Sequence, residues 1–446
     1  MSHPSYDYDV AIIGGGPAGS SAATTLARQG RRVVLFEKDR FPRFHIGESL
    51  LATSNESFEK LGLRDKVAAA GFTRKWGASF GPADGSAESY ADFTVSPEIP
   101  YPQTWQVPRE RLDELLLGHA ANCGAEVRQE HRVLDVAFDA AGVTLEVAGP
   151  AEARRTVRVQ AVIDASGRLG ILARKFRLRV EEPRLANIAI YAHFSGVPRP
   201  EGRRAGDIRI VGRDDMGWFW FIPISETLMS VGVVLQRRVF DTWPRLSHEE
   251  ILERAIADTP AAAALMRTAR REWPVRVEKD FSYHVRAYAG DRWLLAGDAG
   301  SFLDPVFSTG VTIALESGIE AGRALDAALA KGDLSASSFA NFQRVQRRRY
   351  RMFRRFVVGF YTPNFRDLFF QPGDGRHLFA AVVTTVAGRW WPSFPRRLLV
   401  RFFFFLVWLQ RWVPVARRMA HHAGAAAPPA MPAAAPPRTN PRSPAG

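Results

Sequence analysis

The sequence predicts an α/β chain with two lobes, one on a parallel sheet and one on an antiparallel sheet, followed by a helical C-terminal region. Three observations carry this. A strand, a small-residue helix and a second strand follow one another within the first forty residues; alternating apolar patterns dominate from about 186 to 285; and after Ser335 arginine and aromatic residues crowd together. At 446 residues the chain also exceeds the roughly 250–300 at which one core stops growing.

Tyr8 to Ile13 reads as a short apolar strand, Pro17 to Gln29 as an Ala-rich helix that can pack closely on a sheet, and Arg32 to Glu37 as the next strand. Residues 104–124 read as a strand running into an amphipathic helix, and 125–164 as several strands ending in AVIDASG. Residues 292–298 form another strand and Val311 to Leu329 a helix. The expected division is 6–185 for the first part of the parallel lobe (with strands near 76–105 contributed to the other), 186–285 for the antiparallel lobe and 286–335 for the return to the first. The helical basic region takes 336–422 and an Ala/Pro-rich tail, expected to be disordered, 423–446.

The net charge of +14 is unevenly placed. From Asn341 onward there are 18 Arg, no Lys and two acids, a net +16 that leaves about −2 for the first 340 residues. Such a segment attracts anionic partners, and three readings follow: a helical cap whose arginines are a solvated face, a docking surface for an acidic carrier protein, or peripheral membrane contact through Phe402–Phe405, Trp408 and Trp412. Nucleic acid is not expected, because the aromatics lie in apolar runs suited to packing. The unbroken apolar run Phe402–Leu409 is eight residues against the about 20 that span a bilayer. One cysteine, Cys123, allows no internal disulfide, and MSHPSYDYD has no basic or apolar leader region; a cytoplasmic location is the expectation. No metal site is predicted.

Gly14-Gly15-Gly16-Pro17-Ala18-Gly19 is a GxGxxG between strand and helix. Gly14 permits the turn, Gly16 lets backbone approach a pyrophosphate at the helix N-terminus, and Gly19 lets helix and strand pack closely. Glu37 ends the next strand, 18 residues after Gly19, where a carboxylate takes ribose hydroxyls; Lys38 and Arg40 follow it, Arg40 toward the adenine side. Helix 311–329 starts just after Ser308-Thr309-Gly310, so its N-terminal dipole favours negative charge there.

Two later stretches, Asp164-Ala165-Ser166-Gly167 and Ala296-Gly297-Asp298-Ala299, make the chain resemble the glutathione-reductase-type FAD proteins, in the branch of para-hydroxybenzoate hydroxylase, over about residues 6–330. The resemblance implies FAD, with Asp298 on the ribityl chain, Arg109 near the phosphates, and Asp164 and Ala18 among the cofactor contacts. Within that branch three motifs resemble the flavin-dependent halogenases: Trp218-Phe219-Trp220-Phe221-Ile222-Pro223 (WxWxIP), the FxxPxxSxG run from Phe302 through Pro305 to Gly310, and Lys75 in GFTRKWGASF. Gly47-Glu48-Ser49 matches the family's strap over the isoalloxazine.

The resemblance implies a FADH2-dependent halogenase. Chloride or bromide held at Thr309 and Gly310 is oxidised to hypohalous acid, which is relayed to catalytic Lys75. Trp218, Trp220, Ile222 and Pro223 line the route and keep the organic substrate from the flavin. Burial would lower the lysine's pKa and ease a haloamine route. FADH2 comes from a separate flavin reductase, since there is no second GxGxxG. The substrate is an electron-rich aromatic, free or tethered to an acyl or peptidyl carrier protein. Tryptophan halogenases carry a glutamate where this chain has Phe307, and they have a long extra helical region, so the phenol or pyrrole branch is the better match. A hydroxylase, a prenyl-chain reductase and a non-enzymatic flavin module are the alternatives on the same fold.

Overall fold

The structure, a computed structural model, describes residues 6–373 and 375–419; the Ala/Pro-rich stretch from 423 lies outside the described residues. The first sheet runs Ala289–Gly290, Trp293–Leu295, Arg154–Asp164, Tyr8–Ile13, Val33–Phe36, Glu126–Arg128. From Trp293–Leu295 to Glu126–Arg128 its neighbours are parallel, and Val143–Ala148 and Arg132–Phe138 extend it as an antiparallel flap. All four residues of Val33–Phe36 and the last four of Tyr8–Ile13 are buried, as strands covered on both faces require. Helix Pro17–Ala27 crosses helix Gly310–Lys331 at close range: a Cβ on Gly318 would stand 2.2 Å from the Ala18 carbonyl oxygen.

The second sheet runs Ser301–Phe302, Arg276–Val285, Arg179–Ser195, Met229–Gln236, Trp218–Pro223, Ile208–Gly212, Gly77–Gly81, Ser89–Asp92. Two features depart from the all-antiparallel expectation for 186–285. Strand Ile208–Gly212 pairs in parallel with Gly77–Gly81, because the latter arrives from the other lobe. Helices His248–Ala257 and Pro260–Met266 also interrupt the run of strands; their apolar residues Ile251, Leu252 and Ala262 fill the outer core with Phe219 and Phe221. The period-2 pattern holds in Trp218–Pro223: Trp218, Trp220 and Ile222 face the inner core and Phe219 and Phe221 the outer one.

Helices Ala340–Phe360, Pro363–Phe370, Arg376–Val386 and Phe394–Leu409 lie over the inner face of this sheet. Their Phe353, Phe356, Phe360, Phe365 and Phe369 share one core with Trp218, Trp220 and Phe307. The C-terminal region is thus one wall of the second lobe's inner core. Its arginines are not all a solvated face. Arg349 is buried against Glu316 and Glu320. Arg366 donates to the carbonyls of Phe360, Arg213, Met216 and Gly217, and burial lowers its pKa to about 10. The turn after Arg376–Val386 docks on helix Ser54–Leu61: Thr53 N–H donates to the Ala387 carbonyl at 3.4 Å, and a Cβ on Gly388 (φ 113°) would collide with the Thr53 side chain. Ser54 in turn bonds Thr312 of helix Gly310–Lys331, Oγ to Oγ1, at 2.7 Å. No helix among the described residues is long and apolar enough to cross a membrane.

Candidate active site

The glycine loop has the shape its spacing demands. Gly14 sits at φ 102°, and a Cβ there would stand 2.4 Å from the Ala165 carbonyl oxygen; one on Gly19 would stand 1.9 Å from the Gly14 oxygen. Both positions therefore exclude any side chain. Gly16 differs: a Cβ there would meet only an Arg43 nitrogen, 3.7 Å away, so the N-terminus of helix Pro17–Ala27 opens on free space. Glu37 is buried and shapes this loop, its Oε2 accepting from Gly15 N–H at 2.7 Å and its Oε1 from Asp39 N–H at 2.9 Å. Lys38 pairs with Asp39 on the surface. Arg40, expected toward the adenine side, is exposed; the cation that reaches the loop is Arg43, held by Asp113 at 3.2 Å.

The Gly-Asp turn borders the same space. Ala18 is buried against it: a Cβ on Gly297 (φ 61°) would stand 2.9 Å from the Ala18 Cβ. Among the described residues no donor is bonded to the Asp298 carboxylate, and burial pushes it up to about 6 against the pull of Arg168, Arg109 and Arg179. A carboxylate so placed lacks hydroxyl donors of the kind a ribityl chain supplies, so the residues fit FAD. Asp164, by contrast, turns both oxygens to the chain, accepting from Ser166 N–H and Oγ and from Leu172 N–H, and so clamps the 164–172 turn.

Arg109 is buried and bidentate to Asp113 (2.8 and 2.9 Å), with Nη1 donating to the Ile46 carbonyl at 2.6 Å. That fixes the strap. Gly47 (φ 102°) has room for no Cβ beside the Arg109 guanidinium, and that Cβ would stand 3.8 Å from Val311 in the first turn of helix Gly310–Lys331. Glu48 turns inward to a residue that carried no motif: its Oε1 bonds His193 Nε2 at 2.9 Å, both side chains buried. Ser49 leads on to Lys75.

Lys75 closes the far side. It ends strand Thr73–Lys75 with Arg74 exposed and Lys75 1% exposed, which settles which of the two basic residues points inward. Its Nζ donates to Ser49 Oγ and the Leu50 carbonyl, both at 2.8 Å, and lies 5.4 Å from the centre of the Phe93 ring. Burial lowers its pKa to about 7, partly offset by the negative charge of Asp207. Asp207, another residue without a motif, accepts from Trp76 N–H, Gly77 N–H and Tyr90 Oη–H.

The third motif meets the lysine at one cavity. Pro305 opens a turn whose end, Ser308, is left-handed (φ 56°); Thr309 is buried, and a Cβ on Gly310 would meet nothing within 4 Å. Space thus opens beside Gly310 at the N-terminus of a 22-residue helix. Lys75, Phe93, Val306, Phe307, Ser308 and Val386 border one cavity of about 20 Å³. That admits a water-sized molecule and no aromatic ring. Trp218, Trp220, Ile222 and Pro223, expected to line the route, are not among the residues bordering this cavity; the tryptophans are locked in the core of the same sheet, Trp218 Nε1 donating to Tyr361 Oη at 2.8 Å and Trp220 Nε1 to Ser230 Oγ at 3.1 Å, while Gly232 leaves the space that the Trp220 ring fills. Ile222 and Pro223 continue the buried strand. Tyr361 Oη also donates to Asp304 (2.6 Å), to which Asn187 donates at 2.8 Å; burial pushes Asp304 up to about 6.

Known proteins decide the family. Residues 7–350 match the FAD binding domain family. The chain is 33% identical over 381 residues to a 1H-pyrrole-2-carbonyl-[peptidyl-carrier protein] chlorinase of Pseudomonas fluorescens, covering 80% of this chain and 84% of that one. This chain is a flavin-dependent halogenase. The halogenase is also 34% identical to a tryptophan 2-halogenase of Chondromyces crocatus, with 80% and 68% covered. Among solved structures it superposes on the flavin-dependent brominase Bmp2 with a TM-score of 0.81 at 28% identity, covering 91% of this chain and 99% of that one. On the myxobacterial chondrochloren halogenase CndH it does so with 0.73 at 31%, covering 90% and 97%. The halogenase therefore binds FAD and uses it with halide in a halogenation.

Proposed function

We propose that this halogenase generates hypohalous acid at the N-terminus of helix Gly310–Lys331 and delivers it to Lys75. Reduced FAD, when bound, supplies the electrons that activate oxygen for halide oxidation. Gly14, Gly16 and the N-terminus of helix Pro17–Ala27 would hold its pyrophosphate, with Arg43 and Arg109 as the nearby cations and Asp298 on the ribityl hydroxyls. The N–H groups at Thr309 and Gly310 would hold the halide, since backbone donors offer positive charge without an oxidisable group.

One observation carries the relay: Lys75 and the Val306–Ser308 turn border the same small cavity. Its size passes a small oxidant and holds back a ring. Lys75 has both forms near neutral pH, an ammonium that donates a hydrogen bond to the oxidant and an amine that accepts the halogen. The lining around it is apolar apart from Ser308, which excludes the water that would waste the oxidant.

The substrate class follows from Phe307 and from the relatives. Phe307 packs against Phe80, Phe356, Phe360 and Phe369 where tryptophan halogenases have a glutamate. An uncharged phenol or pyrrole ring, presented on a carrier protein as for the Pseudomonas relative, fits best, with FADH2 delivered by a separate reductase. The test supplies FADH2, oxygen and bromide with monochlorodimedone and a phenol panel. Brominated product is expected from the natural chain, and Lys75→Ala should reduce it at least about 100-fold while flavin oxidation continues. Normal bromination by the variant would refute the relay.

A further inference from the structure

Helix Phe394–Leu409 is apolar on both faces. Its inner face is anchored by buried Val400 and Phe403, by Arg396 on Glu98, and by Gln410, which donates to Asp367 at 2.9 Å. Its outer face presents Phe394, Leu398, Phe402, Phe405 and Trp408, and the stripe continues to Trp412 just beyond the helix; Trp408 is 52% exposed and Trp412 72%. The spacing of three to four residues keeps them on one side of the helix. An apolar face of this length is normally covered, and scattered exposed residues are not arranged this way.

The borders of the stripe are cationic. Arg401 interrupts it and Arg411 follows it, both exposed. Alongside, helix Ala340–Phe360 turns Arg344, Arg348, Arg351 and Arg355 outward, at the same three-to-four spacing. The two helices meet through cation–π contacts: Arg348 and Arg397 both lie over the Trp391 ring, and Arg355 over the Phe404 ring at 3.8 Å. Among the described residues from 340 to 419 the one acid, Asp367, is buried. The surface is therefore aromatic in the middle and basic at its edges, without negative charge of its own from this region.

We propose that this face seats the enzyme on an anionic lipid surface, with helix Phe394–Leu409 lying in the plane of the bilayer interface. Phenylalanine and leucine enter the acyl boundary, the tryptophans sit at headgroup level, and the arginines of both helices meet lipid phosphates. At about 24 Å the helix lies along the surface and does not span it. A second copy on the same face is the poorer occupant, because two-fold symmetry sets the same arginines against one another.

The test is flotation of the full-length, FAD-loaded enzyme with vesicles of phosphatidylcholine and phosphatidylglycerol (3:1), and with phosphatidylcholine alone. Binding to the anionic vesicles is expected, weakened in 0.5 M salt and on neutral vesicles. F405S/W408S should lower the partition coefficient about 10- to 100-fold while bromination of soluble monochlorodimedone stays within about 2-fold of the natural chain. Three results would overturn the proposal. One is no flotation with anionic vesicles. Another is flotation that the double variant leaves intact. The third is failure to float combined with a dimer or an acidic-carrier complex that the double variant dissolves, which would assign the face to a protein.

Discussion

Replacing Lys75 with methionine tests the buried amine by a route separate from activity. Methionine matches the volume and removes the charge. The fall in the lysine's pKa to about 7 from its ordinary 10.5 corresponds to about 5 kcal/mol of disfavoured charge below pH 7. Against this, the Leu50 carbonyl and Ser49 hydroxyl lose their donor, at about 1–3 kcal/mol each. Between pH 7 and 10.5 the unfolded chain holds the lysine proton and the folded chain does not, so the natural protein gains stability as pH rises through that window; below 7 the gain is absent. K75M has no such slope. At pH 6 its stability should lie between about 3 kcal/mol above and about 1 kcal/mol below that of the natural chain, and the difference should shift against it by about 3 kcal/mol by pH 9.5. Denaturant unfolding of both proteins at pH 6, 7.5 and 9.5 measures this. Parallel stability curves would show that the amine is ordinary and accessible, and would remove the basis for a reactive lysine.

Three further outcomes follow from particular contacts. Gly310→Ala, where a Cβ meets nothing, should leave the fold intact but crowd the helix N-terminus, raising the halide KM at least about 10-fold without changing FAD affinity; steady-state kinetics against bromide decides it. Arg43→Ala should raise the FAD Kd about 10-fold, an effect that shrinks in high salt, as read by flavin fluorescence titration. Tyr361→Phe takes the hydroxyl from Asp304 and strands the Trp218 N–H, destabilising by about 2–4 kcal/mol in a denaturant melt. Asp304's carboxyl, raised to about 6, favours the fold below about pH 4 and loses that contribution as pH rises through 6; in Tyr361→Phe the loss should fall at higher pH.

The sites that could be read from sequence are those where local backbone geometry fixes residue type. Gly14 and Gly19 had to be glycine because neighbouring carbonyls occupy the Cβ positions, and WxWxIP could be split into two faces because a strand alternates. Lys75 and Arg74 differ by one residue, and only strand register decides between them. What escaped is long-range. His193 meets Glu48 across 145 residues and Tyr361 meets Trp218 across 143; neither has a local pattern. Arg43 was hidden because proximity in sequence favoured Arg40, yet the strap carries Arg43 back over the loop. The helices at 248–266 were lost in a run of apolar residues in which strands and short helices look alike. The basic charge after 340 misled in another way, since Arg349 and Arg366 are buried members of the core.

Helix Ser54–Leu61 touches both ends of the chemistry. Thr53 holds the turn that carries Val386 into the cavity wall, and Ser54 holds Thr312 two residues beyond Gly310. Anyone grafting the C-terminal helices of another halogenase onto this scaffold to alter substrate choice would also be pulling on the place where halide is expected to rest. Such chimaeras should keep their halide preference only when the donor's residues 53–56 travel with its C-terminal helices, so that ring specificity and halide specificity are inherited together.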